Sequence, residues 1–320
     1  MLRYIIRRLL WGVVLLILVS ALTFVLFNVL PTGDPALLRA GRNASPSEIA
    51  HISAALGLNK PIYTQFYDYM KGIILHFDFG YSYYSSQSVL SLIKDRFPAT
   101  LSLTLGAVVV WMLAGIPVGI ISAIKRGTFL DRFAMGGALV FVSLPTFWLG
   151  LLLLLLFANT TGYFHIFPGF ASYVPLSQSP VKWFTSLILP WFVLAATSAA
   201  IYSRLLRGSL LETMGEDYIR TARAKGLSER RVIMRHGVRS AITPILTVLG
   251  LDIGQLLGGA IITETVFDIP GIGRLNFDAI THSDFPIVQG TVLLAALFIV
   301  LANLLTDIGY AYLDPRVRYS

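Results

Sequence analysis

The sequence predicts an all-α polytopic membrane protein with six transmembrane helices and a helical outer loop after the first span. Three observations lead there. The 320 residues are 55% hydrophobic and only 13% charged, with a mean hydropathy of +0.72. A water-soluble core cannot conceal that much apolar surface, so the bilayer is the expected solvent. Six stretches, at about 9–30, 101–124, 133–157, 184–203, 241–266 and 287–312, are long and apolar enough to cross it. Finally, Lys and Arg gather on alternate loops. One side holds Arg3, Arg7 and Arg8, then Lys125, Arg126 and Arg132, then the run from Arg204 to Arg239, then Arg316 and Arg318. The other side holds fewer, spread over longer loops, which places both termini and the 205–239 loop in the cytoplasm. The same logic accounts for the net charge of +8 through anionic lipid, with no nucleic-acid partner.

The first apolar stretch follows three arginines, as a secretory signal would. Its core is longer than a signal's, and no small-x-small cleavage site follows, so it reads as a retained span. The chain then divides into 1–30 (cytoplasmic start and first span), 31–98 (an extracytoplasmic helical loop) and 99–320 (a core of five spans). In the outer loop, Ser45-Pro-Ser-Glu48 reads as a capping box with proline at the first helical position, and Gly57 as that helix's end. Pro61 opens a second helix with Ile62, Phe66, Tyr69 and Ile73 on one stripe. Tyr81, Tyr83 and Tyr84 suit an interface. The second outer loop, 158–183, carries Pro168, Pro175 and Pro180 and should be mostly irregular. The fourth span, interrupted by Pro190, is the weakest of the six.

The 205–239 loop carries the strongest functional signal. From Glu216 and Asp217 to Lys225, acids precede bases, which complements a helix dipole. Gly226 is the expected stop, and Ser228 caps a second helix that runs toward Pro244. Thr221, Ala222 and Ala224 keep part of the first helix slim enough for a groove on another protein. A helix lying on lipid would need a stronger apolar stripe than Tyr218, Ile219 and Ala222 supply.

Within the fifth span, Gly250, Gly254 and Gly258 recur every fourth residue and should permit close helix approach. Asp252, Gln255, Gly259 and Thr263 fall on roughly the opposite face. A carboxylate at that depth is costly unless it meets water or a partner. Asp252 with Gln255 therefore either lines a solute path or pairs structurally with a basic or hydroxyl group. Glu264, at the end of that span, is followed by Pro270, Gly271 and Gly273, which should make a tight turn at the outer mouth. Asp307 should pair with a cytoplasmic arginine. Catalytic and metal-ligating constellations are missing: the five histidines show no ligand spacing, there is no cysteine, and no Gly-Lys dipeptide exists from which a phosphate loop could be built.

Taken in order, these pieces resemble a known family. Asp217-Tyr-Ile-Arg-Thr-Ala-Arg-Ala-Lys-Gly226-Leu227, with His236 and Pro244, is similar to the cytoplasmic loop of binding-protein-dependent ABC importer permeases. The match extends over Leu30-Pro-Thr-Gly-Asp-Pro35, Leu56-Gly-Leu-Asn-Lys-Pro61, Phe97-Pro-Ala-Thr, Ser143-Leu-Pro-Thr-Phe-Trp-Leu-Gly150, Thr263-Glu-Thr-Val-Phe-Asp-Ile-Pro-Gly-Ile-Gly273 and Leu313-Asp-Pro-Arg-Val-Arg318. It is closest in kind to the first permease of dipeptide, oligopeptide, glutathione and nickel systems. The family's usual Glu-Ala-Ala triplet is Arg220-Thr-Ala222 here, while Gly226 keeps the later glycine. The resemblance implies a type I ABC importer permease fold in a prokaryotic plasma membrane. It implies a homologous second permease, two cytoplasmic ATPases that bind ATP and Mg, and an extracytoplasmic substrate-binding protein. It also implies that Glu216, Asp217, Arg220, Thr221, Ala222, Ala224, Lys225, Gly226 and Leu227 couple to an ATPase, that peptides are the solute, and that an outer gate lies near Glu264. Nickel chelates or glutathione are alternative solutes, and a self-sufficient secondary transporter is the competing class.

Overall fold

The structure, a computed structural model, describes residues 2–29, 35–40, 44–55 and 57–313. Most of the Leu30–Pro35 motif, Leu56, Arg42, and the tail with Arg316 and Arg318 lie outside the described residues, as does the side chain of Arg3. Among the described residues the architecture is helical. The only pairing of extended chain is two isolated bridges, Tyr81 with Ser88 and Ala158 with Phe167.

Helix α1 (Leu2–Phe24) continues through one π turn to Val29. The outer loop follows with α2 (Pro35–Ala40), α3 (Pro46–Ala55) and α4 (Ile62–His76). The capping box forms as the sequence predicts. The Ser45 amide donates to Glu48 Oε2 at 2.8 Å and the Glu48 amide to Ser45 Oγ at 3.3 Å, which holds the Glu48 carboxyl below its ordinary value. The α4 stripe meets α1 where Phe24 packs against Phe66 and Tyr69, with ring centroids 5.3 and 5.7 Å apart.

Helix α5 (Val89–Ile124) starts well before the expected span and includes Pro98 and Pro117. It lies along α8 (Pro180–Thr213). Contact is close because Gly115 and Gly119 of α5 have no side chain to separate them from the α8 backbone at Ala199 and Ser203. Trp111 and Tyr202 pack at a tilt of 45° across this seam with centroids 5.8 Å apart, inside a cluster with Leu103, Leu187, Leu206 and Ile245. The stretch expected to be the weakest span is thus a continuous helix in the middle of the core. Pro190 is buried within it, and Pro180, expected in the loop, forms its first turn behind the Ser179 cap.

Two expected straight spans are broken. Residues 133–157 divide into α6 (Phe129–Ser143) and α7 (Thr146–Phe157), which meet at 101°. Pro145 supplies the reason. Its ring pushes the preceding residue out of the helical region, and Leu144 sits at φ −81, ψ 126. The fifth span, expected to run over 241–266, follows the short elements α9 (Asp217–Ala224), α10 (Glu229–Arg231), a π segment at Val232–Gly237 and α11 (Val238–Ala241). The chain bends by 46° into α12 (Thr243–Leu257), where Pro244 falls in the first turn. It then breaks at Gly258–Ala260 before α13 (Ile261–Phe267). Gly259 requires that break: its φ is +121, and a Cβ there would overlap the backbone of Gly273.

A short helix, α14 (Ile272–Thr281), leads to the last span, α15 (Phe285–Leu313). The Gly250, Gly254 and Gly258 face packs on α15 at Thr306, Ala302 and Ala295. Helix α1 packs there too, with Gly12 against Val300 and Arg8 paired to Asp307 at 2.5 Å. Among the described residues, four helices are long and apolar enough to cross a membrane alone; the two bent pairs, each counted as one span, bring the number to six.

Candidate functional site

The most organised surface lies on the connection between α8 and α12. Helix α9 is short and starts with Asp217, which favours the dipole's positive end, and it finishes with Arg223. Gly226 takes φ +75, so the chain reverses there at little steric cost. Ile219 and Ala222 turn inward and form a small buried cluster with Val232, flanked by Met214 and Leu227. Across the reversal, Arg223 donates two hydrogen bonds to Glu229, at 2.7 and 3.1 Å. That guanidinium holds the Glu229 carboxyl below its ordinary range, and Glu229 raises Arg223 in return. The loop is thus a clipped hairpin of two helical pieces.

Of the residues assigned to coupling, Glu216, Asp217, Arg220, Thr221, Ala224, Lys225 and Gly226 are exposed together, Leu227 is half-buried and Ala222 is buried. This corrects the reading of Ala222. Its small size suits the chain's own Val232, not a foreign groove. Tyr218 remains on the outer surface, so the exposed face is acidic at one end, basic at the other and aromatic near its start.

A second feature sits beside this hairpin. Asp131 is buried at the start of α6. It accepts from Arg207 Nε and Nη2 of α8, both at 2.8 Å, from the Gly127 amide at 2.8 Å and from the Ser122 hydroxyl. Sequence reasoning missed it. Thr128-x-x-Asp131 matches a helix-start pattern, and Thr128 does accept from the Asp131 amide at 3.5 Å. Nothing local, however, announces Arg207 as the partner.

In α12, Asp252 accepts the Tyr202 hydroxyl at 2.7 Å. Tyr202 is buried on α8, so this bond ties two spans and supplies the hydroxyl partner that the alternative reading named. Gln255, one turn on, is exposed. Gly259 and Thr263 do not continue that face, because α12 ends at Leu257, Gly259 lies in the break and Thr263 belongs to α13.

Glu264 occupies a closed cage. It accepts from Thr100 Oγ1 at 2.8 Å, the Ala260 amide at 3.3 Å and the Arg274 amide at 2.9 Å. The Thr100 hydroxyl in turn accepts from the Ile272 amide at 2.8 Å. Gly271 and Gly273 are buried against the carboxylate, and Pro270 is half-buried. Glu264, Gly271 and Gly273 therefore shape the outer turn from within and do not themselves present a surface. Arg274 pairs outward with Asp268 and, at 3.7 Å, with Asp278. Nearby, Asp284 is buried and accepts from Ser82 and from the Tyr83 amide at 3.0 Å. The tyrosine-rich segment is thus fastened to the start of α15, leaving Tyr81 and Tyr84 exposed. Among the described residues no group of His, Asp or Glu is placed to hold a metal ion.

Comparison with known proteins bears on this architecture as a whole. The family described as "Binding-protein-dependent transport system inner membrane component" matches residues 115–319, and its N-terminal counterpart matches residues 1–104. A putative peptide transport system permease protein of Brucella abortus (strain 2308) is 42% identical over 99% of both chains. The dipeptide transport system permease protein of Escherichia coli (strain K12) is 41% identical over the full length of both. Among solved structures, the inward-facing MetNI methionine ABC transporter matches with a TM-score of 0.52 at 18% identity, covering 70% of this chain and 97% of that one. That last likeness concerns the fold.

Proposed function

The chain belongs to the family of binding-protein-dependent transport system inner membrane components, and from that premise we propose that it is the permease subunit of an ATP-driven importer that passes di- and oligopeptides. Membership makes it a multi-pass inner-membrane transport component rather than a catalyst. The finer reading is that it forms half of a translocation pathway with a homologous second permease. Two cytoplasmic ATPases bind ATP and Mg, and an extracytoplasmic binding protein delivers the solute. Both termini and the α9 hairpin then lie in the cytoplasm.

The observation that carries this reading is the hairpin itself. Its apolar residues are committed to the chain's own Val232 and Met214. A helix meant to lie on lipid would turn such residues outward. What α9 offers outward is charge, Tyr218 and a clipped, preorganised shape, which suit a protein cleft. Peptide as the solute is supported by the names of full-length relatives. Asp252 with Gln255 is the proposed contact for a peptide's amino terminus, in a chain whose spans offer few other polar groups.

Reconstitution tests it. Vesicles holding this chain, the second permease, the ATPases and a loaded binding protein should accumulate labelled dipeptide only with ATP. Vesicles holding this chain alone should not. Ion-driven flux through the chain alone would replace this reading with the secondary-transporter class.

A further inference from the structure

Helices α6 and α8 face one another over an apolar groove of about 380 Å³, lined by Ala134, Gly137 and Ala138 of α6, Ala195 and Ala199 of α8, and Ala114 of α5. Among the described residues, no atom beyond Gly137's chain neighbours and its own helix backbone lies within 4 Å of where a side chain on it would begin. Polar ties close the groove's two ends. At one, Thr197 Oγ1 donates to the Phe141 carbonyl at 3.4 Å. At the other, Asp131 holds Arg207 in the two-pronged geometry described above. Packed side chains pass a displacement on because interiors barely deform. Here Phe141 of α6 packs edge-on to Phe192 of α8 with centroids 6.4 Å apart, and the directional polar ties add a fixed register between the two helices.

The two ties differ in kind. The threonine bond is long and neutral. The Arg207–Asp131 bond is charge-assisted, doubled, and backed by Ser122 and the Gly127 amide. It is also better placed, since α8 runs from Arg207 through Thr213 directly into the α9 hairpin. At its far end α6 meets the Pro145 break, a ready pivot.

We propose that the Arg207–Asp131 fork is the joint through which movement of the α9 hairpin is passed to α6, so that these two side chains are positioning residues for transport. This rests on the reading of the hairpin as the ATPase contact. In this arrangement α8 is the driven shaft and α6 the follower. Without the fork, hydrolysis continues while α6 no longer follows.

The test uses the complete importer in vesicles, with ATP hydrolysis and dipeptide uptake measured together. Asp131→Asn and Arg207→Gln should each retain most of the hydrolysis, while uptake per ATP falls about tenfold or more, the scale for losing a buried charge pair. Arg207→Lys should lose less, since a lysine keeps the charge without the fork. The double variant should fall no further than the single ones. Ser122→Ala removes one donor and keeps the ion pair, so it should assemble normally and lose about twofold in the same ratio. A reporter is available because the chain has no cysteine. Labelling of Gly137→Cys by a thiol reagent should change with ATP in the otherwise native importer and not with Asp131→Asn. If uptake and hydrolysis fall in parallel, or the ratio and the ATP-dependent labelling survive Asp131→Asn, the joint is refuted while the import function stands. If the native importer shows neither ATP-driven uptake nor ATP-dependent labelling, the import reading fails first.

Discussion

Glu264 illustrates how far a single residue's neighbourhood is legible in sequence. An acid beside a Pro-Gly turn reads as a surface group at a mouth. The chain instead closes over it, and its donors are the Thr100 hydroxyl, the Ala260 amide one helical turn before it and the Arg274 amide after the Pro-Gly turn. Thr100 is 164 residues away and Arg274 lies across the turn, so no local pattern could name them, whereas the Ala260 amide is a local partner. Ser45 and Glu48 were legible because both halves of that contact lie within one helical turn. Glu264→Ala should therefore destabilise the chain by about 3 kcal/mol, the scale for leaving buried donors unpaired. It should lower the midpoint of thermal unfolding in detergent; an unchanged midpoint would show that the cage is not closed. Gly259→Ala should cost about 2 kcal/mol or more on the same assay, since it adds both a strained φ and an overlap with Gly273. Tyr202→Phe separates the two roles of Asp252. A structural tie predicts reduced stability with solute preference intact, whereas altered preference among peptides of different charge would favour contact with the solute.

At the level of elements, apolar runs located the spans and prolines decided their shape. Hydropathy counts residues and is blind to direction, so 133–157 read as one straight helix although Pro145 turns the chain by 101°. The break after Gly258 was hidden for the same reason, because glycines at every fourth position were also the expected packing face. The hairpin's helix and stop were legible from Asp217 and Gly226; Ser228 does sit at the start of the second helical piece, but its side chain makes no cap hydrogen bond, and that piece passes through the π segment at Val232–Gly237 on its way toward Pro244. Which face turned inward was not legible, because Val232 and Met214 lie on other pieces of chain. Enlarging Ala222 to Phe should push α9 off Val232 and lower ATP-driven uptake several-fold, with the spans' unfolding midpoint little changed. The Arg223–Glu229 clip has its own signature. Because Glu229 titrates lower when folded than when unfolded, the clip stabilises the hairpin above the unfolded value and is lost as pH falls through the folded one. Amide exchange over 217–231, corrected for intrinsic rate, should accelerate below about pH 4. Glu229→Gln should abolish that pH step.

For the whole molecule, composition was enough to give the class and, among the described residues, six spans if each bent pair is one; the proposed sidedness rests on the charge bias. The assembly leaves a clear expectation as well: affinity purification of the tagged chain from its native membrane should recover a second permease and ATPases in comparable amounts. Recovery of the chain alone, under detergents that preserve relatives, would contradict the division of labour proposed here. The first span has a consequence of its own. It is broadly exposed along its length, yet it is pinned to α15 at two depths, by Arg8 on Asp307 near one end and by the buried Gln289 on the Thr23 carbonyl near the other. Two pins at different heights fix both the rotation and the vertical position of a rod that oil alone would leave free to spin and bob. The outer cap riding on α1 therefore inherits a set bearing and altitude, and whatever lands on that cap meets it at a constant angle.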